Sequence, residues 1–265
     1  MDVISVPGAT LEYVDEGQGP PLVLLHGGTG NIAEWGDCVP YFAQRHRVVA
    51  YNRRGYGNST PRVDFPPTYH HTDVADLLAL LDALNVKAPV RLCGFSDGGT
   101  IVLMFAARFP GRVESLVSIA GHIYVEEKSR QGLRRARRFF ESGIQKRGLD
   151  EGSHAVQGRR AWFDLWLDDR FGESFNIEHE LDRIECPALI IQGTEDEYAQ
   201  VSHARRIADG IADSRLYLIE GARHWIHGGE HADRLRQAVA AFLDEGESEG
   251  SMRPSESQAL RSDSH

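Results

Sequence analysis

Val90-Arg91-Leu92-Cys93-Gly94-Phe95-Ser96-Asp97-Gly98-Gly99-Thr100 is the stretch that decides the fold. Its first residues form a mostly apolar run suited to a buried strand, and Thr100 to Phe109 read as a helix. A serine therefore stands where strand turns abruptly into helix. The glycines at minus two and plus two, Gly94 and Gly98, let neighbouring backbone close in where side chains would obstruct it. Strain in such a turn holds the Ser96 hydroxyl clear of the sheet, which marks it as the candidate nucleophile. In a chain with 27 glycines the same five letters also occur in ordinary loops. The strand before and the helix after separate the two readings.

Outward from this point, Leu22-Val23-Leu24-Leu25, Val48-Val49-Ala50-Tyr51, Leu116-Val117-Ser118-Ile119 and Ala188-Leu189-Ile190-Ile191 repeat the pattern. Apolar runs without polar alternation indicate strands buried on both faces, as in parallel sheets covered by helices. Val74, Leu77, Leu78, Leu81 and Leu84 recur at helical spacing, with Thr72 expected to cap the start of their helix. Strand, helix, strand in this order predicts a mostly parallel, doubly wound α/β sheet. Ligands of such a sheet collect at the carboxyl ends of its strands. Val3 to Val6 and Leu11 to Val14, joined by Pro7-Gly8, predict a hairpin at its edge.

The alternation stops at about 122–184, where aromatic and arginine residues predominate, and this stretch is expected to be an inserted helical lid. It resumes with a helix over Ser202 to Ile211, a strand over Leu216 to Ile219 and a last helix over His231 to Leu243. One domain is expected over 1–245. The serine-rich stretch 246–265 lacks the apolar surface that offsets ordering entropy, so a disordered tail is expected there.

Composition narrows the function. With 265 residues, 41% hydrophobic and 26% charged, the chain reads as an ordinary soluble globular protein whose core needs no staples. Its longest apolar stretch, Ile101 to Ala107, falls far short of the roughly 20 residues of a spanning helix. The start, Met1 to Pro7, has no signal-peptide pattern, and a cytoplasmic location is expected. Cys38, Cys93 and Cys186 are odd in number and far apart, which argues for buried thiols rather than a zinc site. A formal charge of −10 disfavours nucleic acid and anionic lipid as partners. No metal or organic cofactor is expected, and oligomeric state is not legible.

A serine hydroxyl needs a base within hydrogen-bond reach, and that base needs an orienting carboxylate. Asp196 follows the strand ending near Gln192, and His224 lies in the loop Glu220-Gly221-Ala222-Arg223-His224 after the next strand. Both positions place side chains at the sheet edge where Ser96 emerges. Glu195 and Glu197 flank the acid and are expected to face solvent; His227 is the rival base, expected as a solvated loop residue or a partner of the site. Backbone N–H groups of Gly28 and Asp97 are the candidate oxyanion donors. Gly28 belongs to His26-Gly27-Gly28-Thr29-Gly30, which follows a buried strand and lacks the lysine of a phosphate loop. His26 is expected to brace this loop. Trp162 and Trp166, one turn apart, either line an acyl pocket or pack the interior. The basic run containing Arg134, Arg135, Arg137 and Arg138 either attracts a substrate carboxylate or forms a solvated helix face.

These motifs, with Asn52-Arg53-Arg54-Gly55-Tyr56-Gly57-Asn58-Ser59, Gly193-Thr194-Glu195-Asp196 and Gly221-Ala222-Arg223-His224, resemble the α/β-hydrolase superfamily over residues 1 to 244. Within it the chain is most similar to the valacyclovir hydrolase (biphenyl hydrolase-like) group, through Ser96-Asp97-Gly98-Gly99 and Cys186-Pro187-Ala188-Leu189-Ile190-Ile191. The resemblance implies an α/β-hydrolase fold with a helical lid and serine-dependent hydrolysis of carboxylic esters through an acyl-enzyme. It also implies that Asp97 holds the ammonium group of an amino-acid ester; the residues alone equally allow Asp97 to brace the turn or to pair with Arg53 or Arg54. Asn52 and Glu197-Tyr198-Ala199 depart from the group's usual pattern. Hydrolysis of a lactone or of a carbon–carbon bond uses the same groups and stays open, as does a ligand receptor on this scaffold. The expected partner is a small-molecule ester.

Overall fold

A computed structural model describes residues 1–250, with side chains through residue 245. One eight-stranded sheet organises it, in the order β1-β2-β4-β3-β5-β6-β7-β8. The hairpin β1 (Asp2–Val6) and β2 (Ala9–Glu16) turns at Pro7-Gly8 and pairs antiparallel with β4 (Arg47–Tyr51). The remaining strands, β3 (Pro21–Leu25), β5 (Val90–Phe95), β6 (Val113–Ile119), β7 (Ala188–Gly193) and β8 (Ser214–Ile219), run parallel with β4. The central strands β5 and β7 are buried along their whole length, polar Arg91 and Gln192 included, whereas edge strand β8 buries only Ile219.

Helices cover both faces. On one side lie α2 (Tyr69–Ala83), α3 (Asp97–Arg108) and α7 (Val201–Gly210), packing Leu77, Leu80, Ile101, Phe105 and Ile207 against the sheet. On the other, α1 (Cys38–Phe42) and α8 (Ala232–Gly250) contribute Phe42, Leu235, Val239 and Phe242. Helix α8 covers the first residues of the stretch expected to be a tail; the remainder, 251–265, lies outside the described residues. Thr72 does not cap α2. The helix begins four residues earlier, after Thr68, because Tyr69 and His70 in its first turn are drawn inward by hydrogen bonds to Asp97, leaving Thr72 exposed within the helix. All three cysteines are buried and free. Among the described residues, no helix is long and apolar enough to cross a membrane.

The insertion between β6 and β7 holds α4 (Glu127–Arg147), α5 (His154–Leu167) and α6 (Asp169–Ser174), then a 3-10 turn at Glu178–Arg183. Gly148 ends α4 in the left-handed conformation at φ 59°, and Asp168 caps α6 by accepting the Arg170 and Phe171 N–H groups. Three of its arginines pair locally: Arg134 with Glu127, Arg137 with Asp164, and Arg160 with Glu141 and Glu151.

Register positions the site. Leu25 pairs with Gly94, Gly94 with Ser118, Ile119 with Ile191 and Gly193 with Ile219, so these strands all end at nearly one level. The chain leaves β3 at His26, β5 at Ser96, β7 at Thr194 and β8 at Glu220 along one rim. Because β3 sits between β4 and β5, connections diverge to either side of it, and a crevice opens at that reversal.

Candidate active site

Ser96 is the single residue between β5 and α3, with φ 54° and ψ −117°. A non-glycine residue there is strained by about 1–3 kcal/mol and persists only where its surroundings fix it. Close approach supplies that constraint: a Cβ on Gly94 would lie 2.2 Å from the Gly98 carbonyl oxygen, and one on Gly98 would lie 2.3 Å from that of Leu25. The Ser96 N–H donates to the Ile119 carbonyl at 2.8 Å, and its carbonyl accepts the Thr100 N–H, tying the turn to β6 and α3.

From the far end of the chain, His224 brings Nε2 within 3.0 Å of the Ser96 hydroxyl oxygen. Its Nδ1 lies 2.7 Å from Asp196 Oδ2. Asp196 is 1% exposed and accepts from the Tyr198 and Ala199 N–H groups at 2.7 and 2.9 Å and from the Gln192 amide at 2.7 Å. Burial alone would raise its pKa, but the adjacent His224 imidazole and these donors hold the carboxyl well below its ordinary value. Burial pulls the His224 imidazole down, and the Asp196 charge and hydrogen bond outweigh it, leaving His224 above its ordinary value.

The neighbours of Asp196 differ from expectation in one case. Glu195 is exposed, but Glu197 does not face solvent freely: its Oε2 accepts the His224 backbone N–H at 3.1 Å and its Oε1 meets Arg223. The turn after Asp196 brings it over the histidine loop, a long-range contact with no local signature. Nor is His227 solvated. It is 5% exposed, packed 4.3 Å from the Phe95 ring, and its pKa is driven down to about 3 by burial and by His224.

The glycine loop after β3 is held rigidly. The Arg53 N–H donates to His26 Nε2 at 3.1 Å, so Nδ1 carries the proton and donates to the Gly27 carbonyl at 2.7 Å. His26 is thereby a neutral brace, its pKa lowered by burial and by Arg53. The Gly27 N–H donates to buried Glu34 at 2.6 Å, and the Tyr56 hydroxyl donates to the Gly28 carbonyl at 2.8 Å. Burial pushes the Glu34 carboxyl up to about 7. Gly28 faces Trp162 so closely that a Cβ would fall 2.3 Å from the indole. Asn52 also has a reason. Its Oδ1 accepts the Ile32 N–H at 2.8 Å while its amide donates to buried Glu12 at 2.6 Å, a donation an aspartate lacks.

Asp97 turns its side chain away into an ionic cluster. Arg53 donates to Oδ2 at 2.8 Å, while the Tyr69 hydroxyl and His70 Nε2 approach Oδ1 at 2.6 and 2.9 Å. Arg53 also meets Asp73 at 2.7 Å, which Arg62 meets at 2.6 Å, and the Trp166 indole N–H donates to the Tyr69 hydroxyl at 3.0 Å. Burial opposes ionisation of Asp97, yet Arg53 and His70 hold its carboxyl well below the ordinary range. Sequence reading named Arg53 as a partner but missed Tyr69, His70 and Asp73. The available signal was polar Asp73 on the buried stripe beside Val74 and Leu77, where a charge requires a partner.

Ser96 and His224 open onto a cavity of about 180 Å³ between the sheet rim and the insertion. Gly28 and Asp97 line it beside Ser96, and Trp162, Trp166, Tyr198 and Trp225 give it largely aromatic walls. Trp162 and Trp166 are 5% and 2% exposed, so they both pack the insertion and bound the cavity.

The comparisons with known proteins agree with this architecture. Residues 20–171 match the family model described as alpha/beta hydrolase fold. The chain is 31% identical over 250 residues to Serine hydrolase BPHL of Homo sapiens, covering 91% of this chain and 85% of that one. It is 27% identical to 2-hydroxymuconate semialdehyde hydrolase of Pseudomonas sp. (strain CF600), covering 91% and 93%. Among solved structures, a serine hydrolase involved in carbazole degradation (CarC) superimposes with a TM-score of 0.76 at 22% identity, covering 92% and 98%. Sheet order, rim geometry and these matches together show that the chain belongs to the α/β-hydrolase family.

Proposed function

We propose that this protein is a serine hydrolase that cleaves small carboxylic esters through an acyl-enzyme. The observation that carries the reading is the unbroken hydrogen-bonded line from Ser96 through His224 to Asp196 at the cavity floor. Ser96 Oγ attacks the ester carbonyl as His224 Nε2 takes its proton; Asp196 holds the imidazole and balances its charge. The negative tetrahedral oxygen is met by the Gly28 and Asp97 N–H groups. Collapse expels the alkoxide, which takes the proton from His224. Water, deprotonated by the same histidine, then releases the acid.

In this reading Trp162 and Trp166 line the acyl pocket, and the Asp97 carboxylate braces the turn. Each Asp97 oxygen already serves strong donors inside the protein, which favours bracing over capture of a substrate ammonium. The human relative's name, a serine hydrolase, supports the chemistry; the muconate semialdehyde hydrolase marks carbon–carbon cleavage as the competing outcome. A fluorophosphonate should label Ser96, and Ser96→Ala should lose about 10⁶ in kcat on aryl esters. Absence of labelling on the Ser96 peptide refutes the proposal, and turnover confined to vinylogous diketones reassigns the reaction.

A further inference from the structure

His122, just past the carboxyl end of β6, has a different setting from the other histidines around the cavity. Its backbone is clamped to α3: the Thr100 hydroxyl donates to the His122 carbonyl at 2.7 Å, and the His122 N–H returns to Thr100 Oγ1 at 3.0 Å. The ring is wedged 5.7 Å from Trp166, 5.8 Å from His203 and 6.0 Å from His224, centroid to centroid. It is 6% exposed, and it lines the cavity that holds Ser96.

Its ring nitrogens are unengaged. His26 uses both of its nitrogens inside the protein, and His224 uses both in the Ser96–Asp196 line. Among the described residues, no hydrogen bond reaches either nitrogen of His122. His227 also lacks partners, but it sits behind Phe95 and off the cavity wall. Burial, His203 and His224 push the His122 pKa down to about 3, so the ring is neutral and offers one N–H donor and one nitrogen acceptor. A fixed polar group beside the Trp166 ring is costly to leave unmatched once a ligand has displaced water.

We propose that His122 forms a binding subsite for a neutral oxygen, a hydroxyl or carbonyl, carried by the substrate in addition to its ester. This rests on the reading of the cavity as an ester site. A carboxylate gains no charge pairing from a neutral imidazole, and an ammonium group finds only one acceptor there. The subsite therefore selects uncharged, oxygen-bearing substrates with an apolar or aromatic body, and His122 determines specificity without taking part in proton transfer.

The test measures binding, not turnover, so it stands apart from whether Ser96 cleaves an ester. Dissociation constants of 4-phenylbutan-2-one and of its hydrocarbon counterpart butylbenzene are obtained by tryptophan fluorescence with wild type, His122→Phe and His122→Gln. The phenylalanine keeps the ring packing and the glutamine keeps a donor and an acceptor. The ketone should bind about tenfold more weakly to His122→Phe, with butylbenzene unchanged or tighter, and His122→Gln should recover most of the ketone affinity. An equal change for both ligands, a failure of glutamine to restore the ketone, or no measurable ketone binding to wild type overturns the proposal. Loss of fluorophosphonate labelling at Ser96 would defeat the ester reading and leave these results standing.

Discussion

Replacing Glu34 with glutamine should make the protein more resistant to unfolding in mild base and change it little in acid. Glu34 is 8% exposed and accepts the Gly27 N–H through Oε2, while Oε1 is buried with no partner among the described residues. Its carboxyl is raised from 4.5 to about 7, with burial as the main cause. Between these values the unfolded chain has released the proton and the folded chain retains it, so stability falls as pH rises through the interval. At about 1.4 kcal/mol per tenfold change in proton affinity, the full loss is about 3 kcal/mol. It is absent below the unfolded value and complete above the folded one. Glutamine keeps an oxygen for the Gly27 N–H and does not titrate. Urea denaturation of wild type and Glu34→Gln at pH 4.5, 6 and 8 isolates the residue, because other titrating groups are common to both. The variant's advantage should grow by about 3 kcal/mol across that range. An advantage that is constant with pH, or that shrinks toward pH 8, would refute the account of Glu34 as a carboxyl kept neutral by burial.

Two further outcomes follow from the same electrostatics. Because Asp196 holds the His224 pKa above 6.5, kcat/KM should rise with pH through a midpoint above that value; Asp196→Asn should lower the midpoint, and an unchanged one would sink the assignment. Asp97→Asn leaves Arg53 short of a buried partner and should cost about 3–5 kcal/mol in denaturation. In assays of an aminoacyl ester against its des-amino analogue, the kcat/KM ratio should be the same in that variant as in wild type. A collapse of the ratio would restore Asp97 as an ammonium site.

What the sequence disclosed follows from how far each signal reaches. Unbroken runs such as Leu22 to Leu25 and Ala188 to Ile191 declare burial on both faces within four residues, so the strands and their parallel sheet were legible. Gly94 likewise carries its reason locally, in the Gly98 carbonyl four residues on. Pairings set by the fold were not legible: Glu197 meets the His224 loop, and His227 finds cover behind Phe95, only once β7 and β8 lie side by side. Thr72 misled because cap preference is a weak local force, overridden by the hydrogen bonds of Tyr69 and His70 to Asp97. His122 left no mark at all, since an unengaged nitrogen is visible only against the complete set of its neighbours.

The division between rim and insertion has a consequence for engineering. Ser96, Asp196, His224 and the glycine loop are anchored by strand ends, while Trp162, Trp166 and Leu133 arrive on a separate excursion of the chain. Grafting a foreign excursion between β6 and β7 would therefore exchange the mould and spare the tool. Among the stitches that join them, the indole N–H of Trp166 on the Tyr69 hydroxyl lies nearest the serine turn, one hydrogen bond away from Asp97. A transplanted segment that lacks a donor at that point strips one hydrogen bond from the hydroxyl that steadies Asp97, so the chimera's first symptom would be a loosened serine turn rather than a misshapen pocket.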